Sequence, residues 1–446
     1  MASGNQGSAT EPLNRYLARY SALSDEISLP GLRNYNYCLI VPAFDEPTDF
    51  LDRVLPTPAN DLLVILVVNA PADASQAQIE RTHGLLAPHK PQFEHRVINA
   101  GRRVDALVCN LVDPPVNPKH GVGRARKFGN DLACYLMQQG VIQTHLLCNT
   151  DADAELPADY FARLDSFLAT QPLSSGAAIM PFRHTHTTPE LAKAGEIYEL
   201  SVRYIARQLA RCGCPYAYPS LGSTLVLRSD AYARVRGFPL RAAGEDFYLL
   251  NKLAKTSTVC QLTGAPIQLT SRLSHRVPFG TGPALKKILA ESADAGEHTQ
   301  VDCATYADAS FDLLAYFYTG YKELSAKKRS MTESNINTQL PVAWRDPDIV
   351  FLLKHLGFHP NFARITANAS ANRVLVRAMH EWFDGIKVIR FLNAARHFHK
   401  DEPVLARARK EQGLSQGDAG TLNNLSESAR LPTKHGITEL IVNQVA

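Results

Sequence analysis

The chain of 446 residues lacks any long apolar run. Its longest, Leu62 to Val68, is far too short to cross a bilayer, and Met1 to Thr10 is small and polar with no hydrophobic targeting segment. Charge of one sign is also missing. Forty-seven Lys and Arg against 43 Asp and Glu leave a formal net charge of +4, which is not the footprint of a dedicated nucleic-acid binder. The eight cysteines show no disulfide framework: they are scattered, several inside apolar strand-like runs such as Tyr37-Cys38-Leu39-Ile40, and read as buried free thiols in a reducing compartment. Cys212-Gly213-Cys214 has no second Cys/His pair with zinc spacing after it and reads as a loop. These absences together predict a soluble, cytoplasmic protein with neither a transmembrane segment nor a nucleic-acid partner.

What is present is an alternation of strand and helix patterns. Tyr37 to Val41 is a β-rich run that stops at Pro42, and Leu62 to Val68 is a continuous Leu/Val/Ile run ending at Asn69-Ala70-Pro71. Both read as parallel strands buried on both faces. Asp49 to Val54 and Ser75 to Leu86 read as helices, with Asp73 and Ser75 available as caps. Glu94 to Asn99 and the run ending at Asp151 continue the series. The order predicts a doubly wound α/β unit whose ligand site lies at the carboxyl ends of its strands.

The chemistry-bearing residues gather at that edge. His145 to Thr150 is an apolar strand that ends in Asp151-Ala152-Asp153. Two carboxylates one residue apart suit a hard divalent cation that also takes phosphate oxygens. Pro42-Ala43-Phe44-Asp45-Glu46 and Asn69 close the two earlier strands. His120 to Asp131, with Gly121, Gly123, Arg124, Arg126, Lys127 and Gly129, reads as a Gly/basic loop running into a helix from Leu132 to Gln138, able to approach and neutralise phosphate. It is not a Walker loop, because the G-K-[ST] ending is missing. Further on, Gly244-Glu245-Asp246-Phe247 opens a helix with two acidic residues in its first turn, which fits dipole compensation as well as chemistry.

In this order the four segments resemble the GT-A glycosyltransferases, most nearly family 2, over residues 35 to 285: Val41-Pro42-Ala43-Phe44-Asp45-Glu46, Gly123-Arg124-Ala125-Arg126-Lys127, Asp151-Ala152-Asp153 and Gly244-Glu245-Asp246. The resemblance implies a GT-A fold, a nucleotide-binding half over 35–155 and an acceptor half over 156–285. It implies that Pro42, Asp45, Glu46 and Asn69 face the nucleotide, that Arg126 and Lys127 lie near its diphosphate, and that Asp151 contacts the ribose or a metal-bound water. Asp153 would hold Mn²⁺ or Mg²⁺, with His275 completing the shell and Arg272 and Arg276 beside the phosphates. Asp246 would be the general base of an inverting transfer to a hydroxyl acceptor, and Glu245 would help to position that acceptor. Asn69 stands where many relatives carry Asp, and Lys127 where they carry Asn; the Q-x-x-R-W signature of processive members is absent. One sugar transferred per event to a glycan, lipid-linked glycan or small molecule is the expectation.

Outside that span, residues 1–34 form an N-terminal segment and 286–410 carry helix-spaced apolar residues, as at Phe311 to Tyr321, Ile349 to His355 and Val374 to His397. This helical region reads either as a cover for the acceptor cleft or as a homodimer surface. Residues 411–446 read as a polar tail. Two other functions compete: a nucleotidyltransferase on a related sheet, disfavoured because the turn after the first strand has no glycine, and a non-catalytic nucleotide-binding scaffold.

Overall fold

The computed structural model describes residues 7–24, 27–271, 273, 280–294, 303–326, 341–369 and 371–407. The chain divides into two compact units. One comprises residues up to Thr188 together with Ser220–Ala284; the other comprises Pro189–Pro219 and the residues from Leu285 onward. The sequence segment 189–219, read above as part of the acceptor half, is thus built into the second unit. His275, Arg272, Arg276 and the polar tail lie outside the described residues.

The first unit opens with α1 (Gly7–Tyr20), then β1 (Tyr37–Ala43), α2 (Phe50–Val54), β2 (Leu62–Pro71), α3 (Gln76–His83), β3 (Phe93–Asn99), β4 (Val104–Val116), α4 (Gly121–Gln138), β5 (Leu146–Asn149), β6 (Ala154–Glu155), α5 (Tyr160–Thr170), β7 (Ser175–Ile179) and β8 (Phe182–Thr185). After α6 (Pro189–Arg211), which belongs to the other unit, come β9 (Leu225–Arg228), α7 (Ser229–Arg234), α8 (Glu245–Leu253), β10 (Thr258–Gln261) and β11 (Ile267–Thr270). Eight strands form one sheet in the order β10-β7-β9-β5-β1-β2-β4-β3, and β6-β11-β8 form a small second one. The pairs β1/β2, β2/β4, β1/β5 and β7/β10 are parallel, which makes the large sheet mostly so. β1 and β2 lose almost all their exposure, as their unbroken apolar runs require. Each such Val, Leu or Ile side chain contributes roughly 1.5–3 kcal/mol by leaving water.

The structure departs from the sequence reading at β1, β3, β4 and α4. Strand β1 runs through Pro42 to Ala43, with Pro42 opposite Val67. The partner β5 has ended by then, its last pair being Ile40 with Asn149, so the ladder on that side does not need the N–H that proline lacks. β3 does not join as another parallel strand: it hairpins back on β4 as an antiparallel edge. β4 itself was hidden by the polar Asp105 in its apolar run; Asp105 is buried and held by the Tyr35 hydroxyl, Arg33 at 2.8 Å and His95 at 3.1 Å.

The fourth departure concerns α4. Helix begins at Gly121, not Leu132, so the Gly/basic stretch is helical throughout. Its glycines serve close packing. A Cβ on Gly129 would stand 2.6 Å from Ile40 Cγ2 and 2.9 Å from Val67 Cγ2, both in the sheet, and one on Gly123 would stand 2.5 Å from the Arg241 carbonyl oxygen. α4 therefore lies closer to β1 and β2 than any larger residue would permit.

In the second unit, α9 (Thr281–Asp294) spans the division point and β12 (Ala304–Thr305) precedes α10 (Asp308–Ala326), α11 (Pro347–His355), α12 (Phe358–Asn368), α13 (Asn372–Trp382), α14 (Gly385–Ala395) and β13 (Glu402–Pro403). The run Val374 to His397 is two helices because Asp384 caps the second, its side chain accepting from Lys387 N at 3.2 Å. Phe317 is the hub of its aromatic core, 4.2 Å from Phe383 and 5.5 Å from Trp344 between ring centroids. No helix among the described residues is long and apolar enough to cross a membrane.

Gly129→Ala should destabilise the protein by about 1–3 kcal/mol through overpacking, seen as a lower urea midpoint. Gly31→Ala, where an added Cβ meets nothing within 4 Å, should change it by less than about 0.5 kcal/mol.

Candidate active site

The carboxyl ends of β1, β2 and β5 bring Asp45, Asn69 and Asp151 to one edge of the sheet. β5 is pinned to α4 just before the aspartates: the Asn130 and Asn149 amides, both fully buried, donate to each other at 2.7 and 3.1 Å. Asn130 Nδ2 also donates to the Arg126 carbonyl at 2.8 Å. Asp153 is fixed from the other side, its carbonyl accepting from Thr270 N at 3.0 Å in the small sheet. The triplet Asp151-Ala152-Asp153 is thereby clamped between the two sheets.

Arg126 is the centre of the site. Its guanidinium donates through Nη2 to Asp151 Oδ1 at 2.5 Å and through Nε to Glu245 Oε1 at 2.9 Å. The side chain is 3% exposed, against 6% for Glu245 and 37% for Asp151. Gly222 backs it: a Cβ there would stand 2.3 Å from Nη2. The third nitrogen, Nη1, is buried and has no hydrogen-bond partner among the described residues.

Glu245 and Asp246 occupy the first turn of α8, which starts from Gly244 in a left-handed conformation (φ +69°) that favours glycine. The helix dipole favours their negative charge, but burial opposes it more strongly. Burial pushes the Glu245 carboxyl up from 4.5 to about 7, the Asp246 charge adds to the rise, and Arg126 resists it. Asp246 is raised as well, first by burial, with the Asp151 charge contributing and the Phe247 N–H, donating to its Oδ1 at 2.7 Å, opposing. Two carboxylates thus bond the one guanidinium, and the charge of a third, Asp246, acts on it.

The remaining predicted positions are distributed as follows. Asp45 sits in a left-handed conformation (φ 57°) and docks on α3: Arg81 Nε donates to it at 2.5 Å, Gln78 Nε2 at 3.4 Å, and its own N–H donates to Thr82 Oγ1 at 3.0 Å. Glu46, Asn69 and Pro42 are buried. The structure does not bring Lys127 to the Arg126 cluster. Its ammonium pairs with Asp131 at 3.0 Å and donates to the Tyr16 hydroxyl at 2.6 Å, beneath α1. Tyr16 and Tyr232 both donate to Asp131 Oδ1, at 2.5 and 2.9 Å. Sequence reasoning did not find Asp131, although its i,i+4 spacing from Lys127 was a signal, nor Arg81 and Gly222, whose roles come only from tertiary approach.

No family model matches the chain, and no curated protein matches it. Similar solved structures include TarS 1–349 of S. aureus with UDP-GlcNAc, 11% identical over 85% of this chain and 93% of that one (TM-score 0.34). Another is a mannosyltransferase of Pyrobaculum calidifontis with GDP-Man and Mn²⁺, 15% identical over 83% and 94% (TM-score 0.33). A third is glucosyl-3-phosphoglycerate synthase of Mycobacterium tuberculosis with Mn²⁺, UDP and phosphoglyceric acid, 14% identical over 63% and 89% (TM-score 0.30). At these values the functional reading rests on the residues of this chain.

A carboxyl that holds its proton more tightly folded than unfolded makes the unfolding free energy fall as pH rises from its unfolded to its folded pKa, and level off above. For Glu245 that window runs from 4.5 to about 7. Glu245→Gln should therefore lose less stability than the wild type between about pH 5 and about pH 7.5 in urea titrations. Equal losses in the two proteins would mean that Glu245 does not titrate in this window.

Proposed function

We propose that this protein is a GT-A type glycosyltransferase that moves a sugar from a nucleotide-diphosphate donor to a hydroxyl acceptor, with inversion and with a divalent cation. The observation that carries the reading is the meeting of two acidic motifs at one sheet edge: Asp151 from the end of β5 and Glu245 from the head of α8, joined through Arg126. The similar structures contain UDP-GlcNAc, GDP-Man, UDP and Mn²⁺, which are the ligand classes proposed for this chain.

The carboxylates fit such a cation if it arrives with the donor. Among the described residues no group of three His, Cys, Asp or Glu forms a ready protein-only site. Mg²⁺ and Mn²⁺ are commonly held by one or two carboxylates while substrate phosphates supply the rest, which Asp153 and Asp151 can match. When bound, the cation would offset the charge that grows on the departing diphosphate.

The chain's own part is to manage one proton and two substrates. Asp246, its basicity raised by burial, takes the proton of the acceptor hydroxyl. The acceptor oxygen then bonds to the anomeric carbon as the bond from that carbon to the diphosphate oxygen breaks. Glu245 helps to position the acceptor, and Asp45, Glu46 and Asn69 line the nucleotide side. The turn after β1, without glycine and with Asp45 engaged by Arg81, gives a nucleotidyltransferase no phosphate loop in the usual place.

Two outcomes test this reading. In a calorimetric panel of UDP-, GDP-, ADP- and dTDP-sugars with and without Mn²⁺ or Mg²⁺, one donor should bind only with metal, and Asp153→Ala should abolish that binding; no binding under any condition would reject the proposal. Asp246→Asn should keep donor binding while lowering kcat about 10²- to 10⁴-fold, the range for loss of a general base.

A further inference from the structure

Two adjacent cations of α4 were expected at the diphosphate, and the structure commits both to carboxylates. For Arg126 the commitment is geometric. The side chain is 3% exposed, its Nε and Nη2 are used by Glu245 and Asp151, and the Gly222 backbone closes the face against Nη2. The guanidinium joins the motif that ends β5 to the motif that opens α8, elements separated in sequence by the whole of the second unit's insertion. A planar fork with fixed donor directions is suited to holding two carboxylates at a set separation, which an ammonium cannot do.

Building on the transferase reading, we propose that Arg126 is a positioning residue: it sets the donor-side Asp151 and the acceptor-side Glu245–Asp246 pair in register, and acts on the substrates through these carboxylates without itself binding the diphosphate. Gly222 belongs to the same device, because only a residue without Cβ leaves the guanidinium in its place. Nη1, buried and without a partner among the described residues, is where a direct contact to substrate could be made, and the experiment is chosen to detect it.

The variants are Arg126→Gln, Arg126→Lys, Gly222→Ala, Asp151→Asn and Glu245→Gln, with the doubles that combine Arg126→Gln with each carboxamide. UDP and GDP affinity is measured by calorimetry with Mn²⁺, and turnover with the donor found above. A misplaced catalytic pair typically costs about 10²-fold in rate, so Arg126→Gln and Gly222→Ala should each lower kcat on that scale. Their nucleoside diphosphate affinity should fall no further than that of Asp151→Asn, Arg126→Lys should recover part of the rate, and Arg126→Gln should add little to either carboxamide variant. If Arg126→Gln weakens UDP or GDP binding on top of Asp151→Asn, Arg126 touches the diphosphate and the proposal falls. Gly222→Ala carries the test if Arg126→Gln does not fold.

A second arm does not depend on transferase activity. In urea unfolding, Asp151→Asn and Glu245→Gln should be non-additive when Arg126 is present, and the coupling should shrink in Arg126→Gln to the direct repulsion between the two carboxylates. Additivity in both backgrounds overturns the positioning role even in a protein that transfers nothing, whereas coupling without any nucleotide binding would remove the transferase reading and leave the strut.

Discussion

The site depends on how closely α4 lies on the sheet. Gly129 lets the helix rest against Ile40 and Val67, and the reciprocal amide pair of Asn130 and Asn149 fixes its depth and register on β5. Those contacts are apolar or fully paired, so they hold without solvent. Everything polar at the carboxyl edge is placed relative to them: Arg126 is one turn back from Asn130, and Asp151 is two residues beyond Asn149.

From that seat, successive residues of α4 face different tasks. An α-helix turns about 100° per residue, so neighbours in sequence look in different directions. Arg126 meets the carboxylates of the strand edge and of α8, while Lys127 meets Asp131, Tyr16 and Tyr232 under the N-terminal helix. Both charges are buried and both are paired, yet the pairs differ in balance. Among the described residues Lys127 pairs with one carboxylate, whereas Arg126 bonds two and feels the charge of a third, Asp246. Burial is the main cause that raises Glu245 and Asp246, and the neighbouring carboxylate charges add to it.

The strands β1 and β2, the aspartates after β5 and the acidic start of α8 were legible because each is a local pattern: an unbroken apolar run, a polar pair at its end, a glycine before two acids. The start of α4 was not. Gly121, Gly123 and Gly129 carry the local signal of a loop, and only the neighbours Arg241, Ile40 and Val67 reveal that they are there for proximity. β4 was concealed by Asp105, whose compatibility with a buried strand depends on Arg33, Tyr35 and His95. Likewise Lys127 and Arg126 looked equivalent as cations in a basic stretch; Asp131 is tied to Lys127 by i,i+4 spacing, but Tyr16, Asp151 and Glu245 lie far away in the chain. What escaped the sequence reading was long-range approach, in each case by a residue whose own type was unremarkable.

The excursion of residues 189–219 into the second unit makes the first one discontinuous. β9, which the chain supplies only after returning, lies between β5 and β7, strands made before it left. During synthesis the central sheet must therefore wait with a gap between two finished strands until the ribosome has passed the excursion. A cut after residue 284 would not isolate the first unit either, since it would strand 189–219 without the helices it packs among.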